Sequence, residues 1–223
     1  MKARDRWFDV LGVLAGVALP PLFYFKGKQT ALPLFMGALF VFFFYGMVTA
    51  RELKDSAIDL AFKALGLLYI ALPLAYLAPL REMDNGQWWI LFLLVVIWSS
   101  DTLAFLTGKL MGRHRLAPEI SPKKTIEGAI GGLAGAFIAA FLFNRFAGMG
   151  MGLKGVSVLS IGIGFIAMIG DLAESLLKRS AGVKDSGSII PGHGGILDRI
   201  DSILFPIPLL YYFLLCQSLR WGG

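Results

Sequence analysis

Long apolar runs, separated by short polar stretches, set the pattern of this sequence. Seven runs fall at roughly 8–25, 31–50, 57–80, 88–107, 126–147, 153–173 and 200–219. A helix of about 20 apolar residues crosses a bilayer core about 30 Å thick. Only helices satisfy their own backbone in lipid, and the alternating segments of a membrane barrel are missing, so the runs predict seven transmembrane helices. Pro20 and Pro21, Pro73, and Pro206 and Pro208 predict kinks in the first, third and seventh. The basic start Met1–Arg6 leads into an apolar run with no A-x-A-like cleavage site, which predicts a retained first helix. No repeat or low-complexity linker interrupts the chain. It reads as a single all-α, polytopic membrane bundle over 1–223, with helices lacking motifs over 1–97 and helices with functional loops over 98–223.

Composition agrees. Of 223 residues, 57% are hydrophobic and 16% charged, against about 45–50% and about 25% in soluble domains. The abundance of aromatics excludes a disordered chain, and the single cysteine, Cys216, excludes a disulfide scaffold. A net charge of +6 fits basic loops that orient helices, anionic head groups or a nucleotide; it calls for no nucleic acid. With the N-terminus in the cytoplasm, 14 Lys and Arg fall on the cytoplasmic side and 6 on the other, with Lys63 inside a span. That split predicts N-in, C-out, and puts both long polar loops, about 108–125 and 174–199, in the cytoplasm.

Four features stand out against this background. Asp101 lies inside the fourth span, near its cytoplasmic end. Intramembrane acids are costly and mark ligand sites, although pairing with Lys109 would also satisfy this one. Asp171, Glu174, Ser175 and Lys178 fall at i, i+3, i+4 and i+7, one polar stripe at the cytoplasmic end of a span that suits a ligand-binding face; an ordinary helix end with a Glu174–Lys178 pair is the alternative. The stretch from Lys184 and Asp185 through His193, Gly194 and Gly195 to Asp198, Arg199 and Asp201 combines a glycine loop with two acids one turn apart where the chain re-enters the membrane. Such a loop permits close backbone approach and anion binding. Finally, Ser121-Pro122-Lys123-Lys124-Thr125 before Glu127 predicts a helix start capped by Ser121, with Pro122 at its first position and two lysines poised for phosphate. The glycines that follow, at 128, 131, 132 and 135, have the spacing of close helix packing.

Carboxylates from three helices beside many cations suit Mg²⁺ with phosphate oxygens. Zinc is disfavoured, because Cys216 lies towards the far side and no histidine pair has ligand spacing. Neither a nucleophile elbow nor a Walker A sequence is present.

The segment from Ser175, Lys178 and Arg179 through Lys184, Asp185, Gly187, Ile190, Pro191, His193, Gly194 and Gly195 to Asp198, Arg199 and Asp201 resembles the signature of the phosphatidate cytidylyltransferases. The stretch from Asp101 to Gly132 is similar to the same family, except that Phe105 stands where the pattern has tyrosine. The resemblance implies an enzyme that moves CMP from CTP to phosphatidic acid in phospholipid biosynthesis, with Mg²⁺ and room for a second cation such as K⁺. It implies a bacterial plasma-membrane protein with its active site facing the cytoplasm. Asp171 and Asp198 would hold the metal, supported by Asp101. Lys123, Lys124, Lys178, Arg179 and Lys184 would clamp phosphates. His193, Gly194 and Gly195 would line the nucleotide pocket, and Arg199 and Asp201 would orient the loop. Ser121, Thr125, Glu127, Ser175 and Asp185 complete the implied substrate site.

Other functions would use parts of this pattern. A CTP-dependent lipid kinase would release CDP where a cytidylyltransferase releases pyrophosphate. A transporter could use Asp101 and Asp171 as ion ligands, but would normally show inverted repeats. A membrane scaffold would not need the acids. The glycine-rich spans permit a homodimer.

Overall fold

The computed structural model describes residues 6–26, 31–49, 53–187 and 195–221. The chain forms two compact units, Met1–Asp84 and Asn85–Gly223, each described by itself.

In the first unit, α1 (Arg6–Lys26) continues through Pro20 and Pro21, and α2 (Ala31–Thr49) follows. The third apolar run is divided into α3 (Leu53–Gly66), a π-helical turn at Leu67–Ala71, α4 (Leu72–Ala75) and α5 (Leu77–Glu82). The division centres on Pro73, which has no N–H for the helical ladder. Just before it, the Leu72 N–H donates to the Leu67 carbonyl, five residues back, as in a π-bulge. Leu19, Phe35, Phe42, Leu67 and Ala71 form a buried apolar cluster in this unit.

The second unit contains α6 (Gly86–Met111), a hairpin of β1 (Arg115–Ala117) and β2 (Ser121–Thr125), then α7 (Ile126–Phe146), α8 (Leu153–Ser180), α9 (Leu197–Leu204) and α10 (Pro206–Trp221). Among the described residues, five helical stretches are long and apolar enough to span a bilayer: Ser56–Glu82, Gly86–Met111, Ile126–Phe146, Leu153–Ser180 and Leu197–Gln217. Val10–Leu22 and Pro33–Val48 are shorter apolar helices. The molecule is a polytopic helical membrane protein.

Two expectations need correction. Ser121–Thr125 is a strand, with Arg115 opposite Thr125 and Ala117 opposite Ser121. It is not the first turn of a helix. Pro122, which lacks a donor, is tolerated in a strand with only one neighbour. The cap of α7 is therefore Thr125: its backbone is extended, and its hydroxyl accepts the Gly128 N–H at 3.1 Å. The second correction concerns α8, which extends to Ser180, beyond the expected end near 173. It stops where Gly182 takes φ +70°. The Gly182 N–H donates to the Arg179 carbonyl and the Val183 N–H to that of Lys178, closing the end as a Schellman motif. Asp171, Glu174, Ser175 and Lys178 thus share one unbroken helix.

The glycines of α7 do what their spacing predicts. A Cβ on Gly128 would lie 2.8 Å from the Ala104 carbonyl oxygen, and one on Gly135 2.9 Å from that of Ser99. Gly131 faces Thr107, and Gly132 faces Ser100 and Ala104. Lipid gives no hydrophobic drive for helix pairing, so this backbone approach is what holds α7 on α6.

Candidate active site

Three polar contacts join four elements of the second unit. The Lys124 ammonium on β2 lies 2.7 Å from Asp171 Oδ2 on α8. Lys178 Nζ on α8 lies 2.6 Å from Asp198 Oδ1 on α9. The Ser202 hydroxyl on α9 donates to Asp101 Oδ2 on α6 at 3.4 Å. Such contacts follow from cost: an acid on an apolar helix must find a cation or a donor.

Asp198 is the most heavily bonded of these groups. Oδ2 accepts the Ser186 N–H at 2.9 Å, the Ser186 hydroxyl at 2.8 Å and the Gly195 N–H at 2.7 Å. The acceptance from Gly195, three residues upstream, resembles the return half of a capping box at the start of α9. Oδ1 takes Lys178. The Lys178 ammonium also contacts Glu174, one turn back on α8. Glu174 is 1% exposed, so one cation balances two carboxylates.

Asp171 has Ser175 Oγ at 3.5 Å beside its ion pair. Asp201 is buried and accepts the Ser202 N–H at 2.7 Å. Ser202 thus donates its N–H to Asp201 and its hydroxyl to Asp101, so the two acids meet through one residue. At Gly170 a Cβ would lie 2.7 Å from the Asp201 carbonyl oxygen, so only glycine lets α9 approach α8 at that level.

Several residues expected at the site have other partners. Glu127 Oε2 accepts the backbone N–H groups of Arg113 and His114 at 3.0 and 3.2 Å, and Oε1 lies 2.6 Å from His114 Nδ1. Glu127 therefore ties the end of α6 to the start of α7. Arg179 donates to the Val183 carbonyl at 3.1 Å and closes the end of α8. The Gly195 amide, expected to face a nucleotide, is bonded to Asp198. Lys109 lies over the Phe105 ring at 5.9 Å and is not the partner of Asp101. Ser121 and Thr125 belong to the hairpin strand. Lys123, Lys184 and Asp185 are exposed, as is Arg199 on α9. His193 and Gly194 lie outside the described residues.

Sequence reading left Glu174, Ser186, Ser202 and Gly170 out of the site. Glu174 had a signal, its spacing to Lys178. The other three act through contacts with residues distant in sequence or through backbone proximity, which spacing does not encode.

The fold and this cluster define a class: a membrane-embedded helical protein with acids and cations gathered at the ends of its spans. The chain belongs to the cytidylyltransferase family, whose model matches residues 1–217. It is similar to the phosphatidate cytidylyltransferase of Staphylococcus saprophyticus, 42% identical over 162 residues, which is 73% of this chain and 62% of that protein. It is likewise similar to that of Bacillus subtilis, 42% identical over 157 residues, 70% of this chain and 58% of that protein. The corresponding Staphylococcus aureus protein is 42% identical over 165 residues, 74% and 62%. The chain thus spans about three fifths of the length of the curated relatives it matches.

Proposed function

We propose that this chain transfers CMP from CTP to phosphatidic acid, forming CDP-diacylglycerol and releasing pyrophosphate. The observation that carries the reading is the meeting of Lys178, Gly195 and Asp198 at one carboxylate: residues spread along the family signature fold onto a single point. The relatives bearing the name phosphatidate cytidylyltransferase support the choice of substrates.

In this reaction a phosphatidate phosphate oxygen bonds to the α-phosphorus of CTP as the bond to the pyrophosphate oxygen breaks. The attacking group is already an anion, so no strong general base is required. The barrier is repulsion between anions and charge gathering on the leaving group. Positioning and electrostatics then dominate. Lys124 and Lys178, held beside carboxylates, are preplaced cations at the edge of the site. Exposed Lys123 and Lys184 offer further positive charge to a triphosphate.

The donor set suits Mg²⁺. Asp171 and Asp198 each already hold a cation, an ammonium at 2.7 and 2.6 Å respectively. Among the described residues no three acidic, histidine or cysteine side chains form a ready cage. Magnesium commonly takes one or two carboxylates and completes its shell with substrate phosphates and water, which matches such a partial site. Asp171 and Asp198 would hold it, with Asp101 alongside. When bound, it neutralises the triphosphate and aligns attacker with leaving group. A second cation such as K⁺ would draw on the same acids. A homodimer gains no support from the α7 glycines, because they face α6.

We place the protein in the bacterial plasma membrane with its acids towards the cytoplasm, supported by the distribution of Lys and Arg. There CTP arrives from water while phosphatidate stays in the leaflet. A cysteine at position 184 is expected to react with a reagent confined to the cytoplasmic side.

The deciding experiment gives purified full-length protein α-labelled CTP, phosphatidate in mixed micelles and Mg²⁺. Labelled CDP-diacylglycerol with unlabelled pyrophosphate is the expected result. CDP and a newly phosphorylated lipid would make it a kinase, and no lipid product at all would overturn the reading.

A further inference from the structure

We infer that Ser186 is a positioning residue that fixes the working orientation of the Asp198 carboxylate; this rests on the cytidylyltransferase reading above. An ionised carboxylate offers about four lone-pair sites over two oxygens. Ser186 fills two positions on one oxygen by itself, with its N–H at 2.9 Å and its hydroxyl at 2.8 Å from Oδ2. The Gly195 N–H, at 2.7 Å, adds a third donor to the same oxygen. Oδ2 is therefore saturated. Among the described residues, Oδ1 carries only Lys178, whose ammonium also contacts Glu174 on α8.

A charge contact with Lys178 alone would leave the carboxylate free to turn about its terminal torsion, which is broad for aspartate. Three donors on one oxygen remove that freedom. The packing is built for this approach. A Cβ on Gly195 would run into the Ser186 hydroxyl and lie 2.8 Å from the Gly187 nitrogen, so glycine at 195 lets Ser186 come close. Ser186 is exposed and lies between α8 and α9, outside the candidate spans found among the described residues.

The experiment compares Ser186→Ala, Ser186→Thr and a control, Ser180→Ala. The control removes an exposed hydroxyl that, among the described residues, is bonded to the Leu177 carbonyl alone, at 2.9 Å. Hydrogen bonds to charged groups are strong enough that Ser186→Ala is expected to lower kcat about ten-fold or more. KM for CTP and phosphatidate should stay within about two-fold, since Ser186 is assigned no substrate contact. Ser186→Thr should recover most of the rate, and Ser180→Ala should match wild type. Thermal unfolding of Ser186→Thr and Ser180→Ala should stay close to wild type, and Ser186→Ala should remain folded at the assay temperature with at most a modest drop in midpoint. An active wild-type enzyme with an equally active Ser186→Ala variant overturns the inference and leaves the reaction standing. So does a rate that Thr fails to restore, or a loss expressed mainly in KM. An inactive wild type instead overturns the cytidylyltransferase reading itself.

Discussion

Lys178 and Asp198 are 20 residues apart in the chain and 2.6 Å apart in space, and the same ammonium reaches Glu174. Two acids therefore depend on one cation. Replacing Lys178 by Met would remove the cation from both, leaving Asp198 only its Ser186 and Gly195 donors, in a site where the Lys178 side chain is only 16% exposed. Breaking a buried ion pair costs about 3–5 kcal/mol, and residual solvent access places this case near the lower figure. A marked drop in the thermal unfolding midpoint in detergent is expected. Adding Glu174→Gln should recover part of the loss by removing one of the stranded charges. Equal midpoints for wild type and Lys178→Met would show that the cation is not shared.

Asp198→Asn tests charge at almost constant shape. The amide oxygen can still accept from Ser186 and Gly195, but an NH₂ group then faces Lys178. Product formation should fall at least about 100-fold, on the scale of losing a key electrostatic contact, while the protein still inserts and purifies as folded. Removing metal should act in parallel. EDTA is expected to stop turnover and Mg²⁺ to restore it in wild type, whereas raising Mg²⁺ should not rescue Asp198→Asn. Near-normal turnover of that variant would take Asp198 out of the proposed metal site.

Glu127 offers a contrast, because its partners are the Arg113 and His114 amides and the His114 ring. Its role is to hold the hairpin between α6 and α7. Glu127→Gln keeps an acceptor for the amides and is expected to leave KM for CTP within about two-fold. Glu127→Ala removes all three contacts and is expected to lower the thermal unfolding midpoint. A large rise in KM with Gln would return Glu127 to the substrate site.

The seam between α6 and α7 predicts a position-specific response to added methyl groups. Gly135→Ala would place a carbon 2.8 Å from Leu103 Cδ1 and 2.9 Å from the Ser99 carbonyl oxygen. Overpacking of this kind costs about 1–3 kcal/mol. Gly155→Ala, in α8, has nothing within 4 Å of the new carbon and should be neutral or slightly stabilising. Melting curves of the two variants give the comparison directly.

How far the sequence carried can be seen residue by residue. Apolar runs of about 20 residues marked the helices, because lipid allows the backbone few alternatives. The glycine spacing marked the α7 seam for the same reason. Asp101, Asp171, Lys178 and Asp198 were legible as polar residues that an apolar helix must justify. The hairpin was not legible: Pro122 and the two lysines suit a helix start as well as an edge strand, and only pairing between Arg115 and Thr125 decides. Nor was the burden carried by Asp198, since Ser186 and Gly195 reach it through backbone amides, a group every residue but proline possesses. Glu127 was read from the signature as part of the substrate site, and spacing gave no sign that its oxygens also accept the Arg113 and His114 amides.

The bare face of α7 has a consequence for assembly. Glycines have no rotamers to freeze, and α6 and α7 are separated by only the short hairpin, so bringing them together orders few side chains. Amide hydrogens along that interface should be among the slowest in the second unit to exchange with deuterium. The helix bearing Asp101 would then serve as the fixed jaw of the site, with adjustment on substrate arrival left to the partners that approach it.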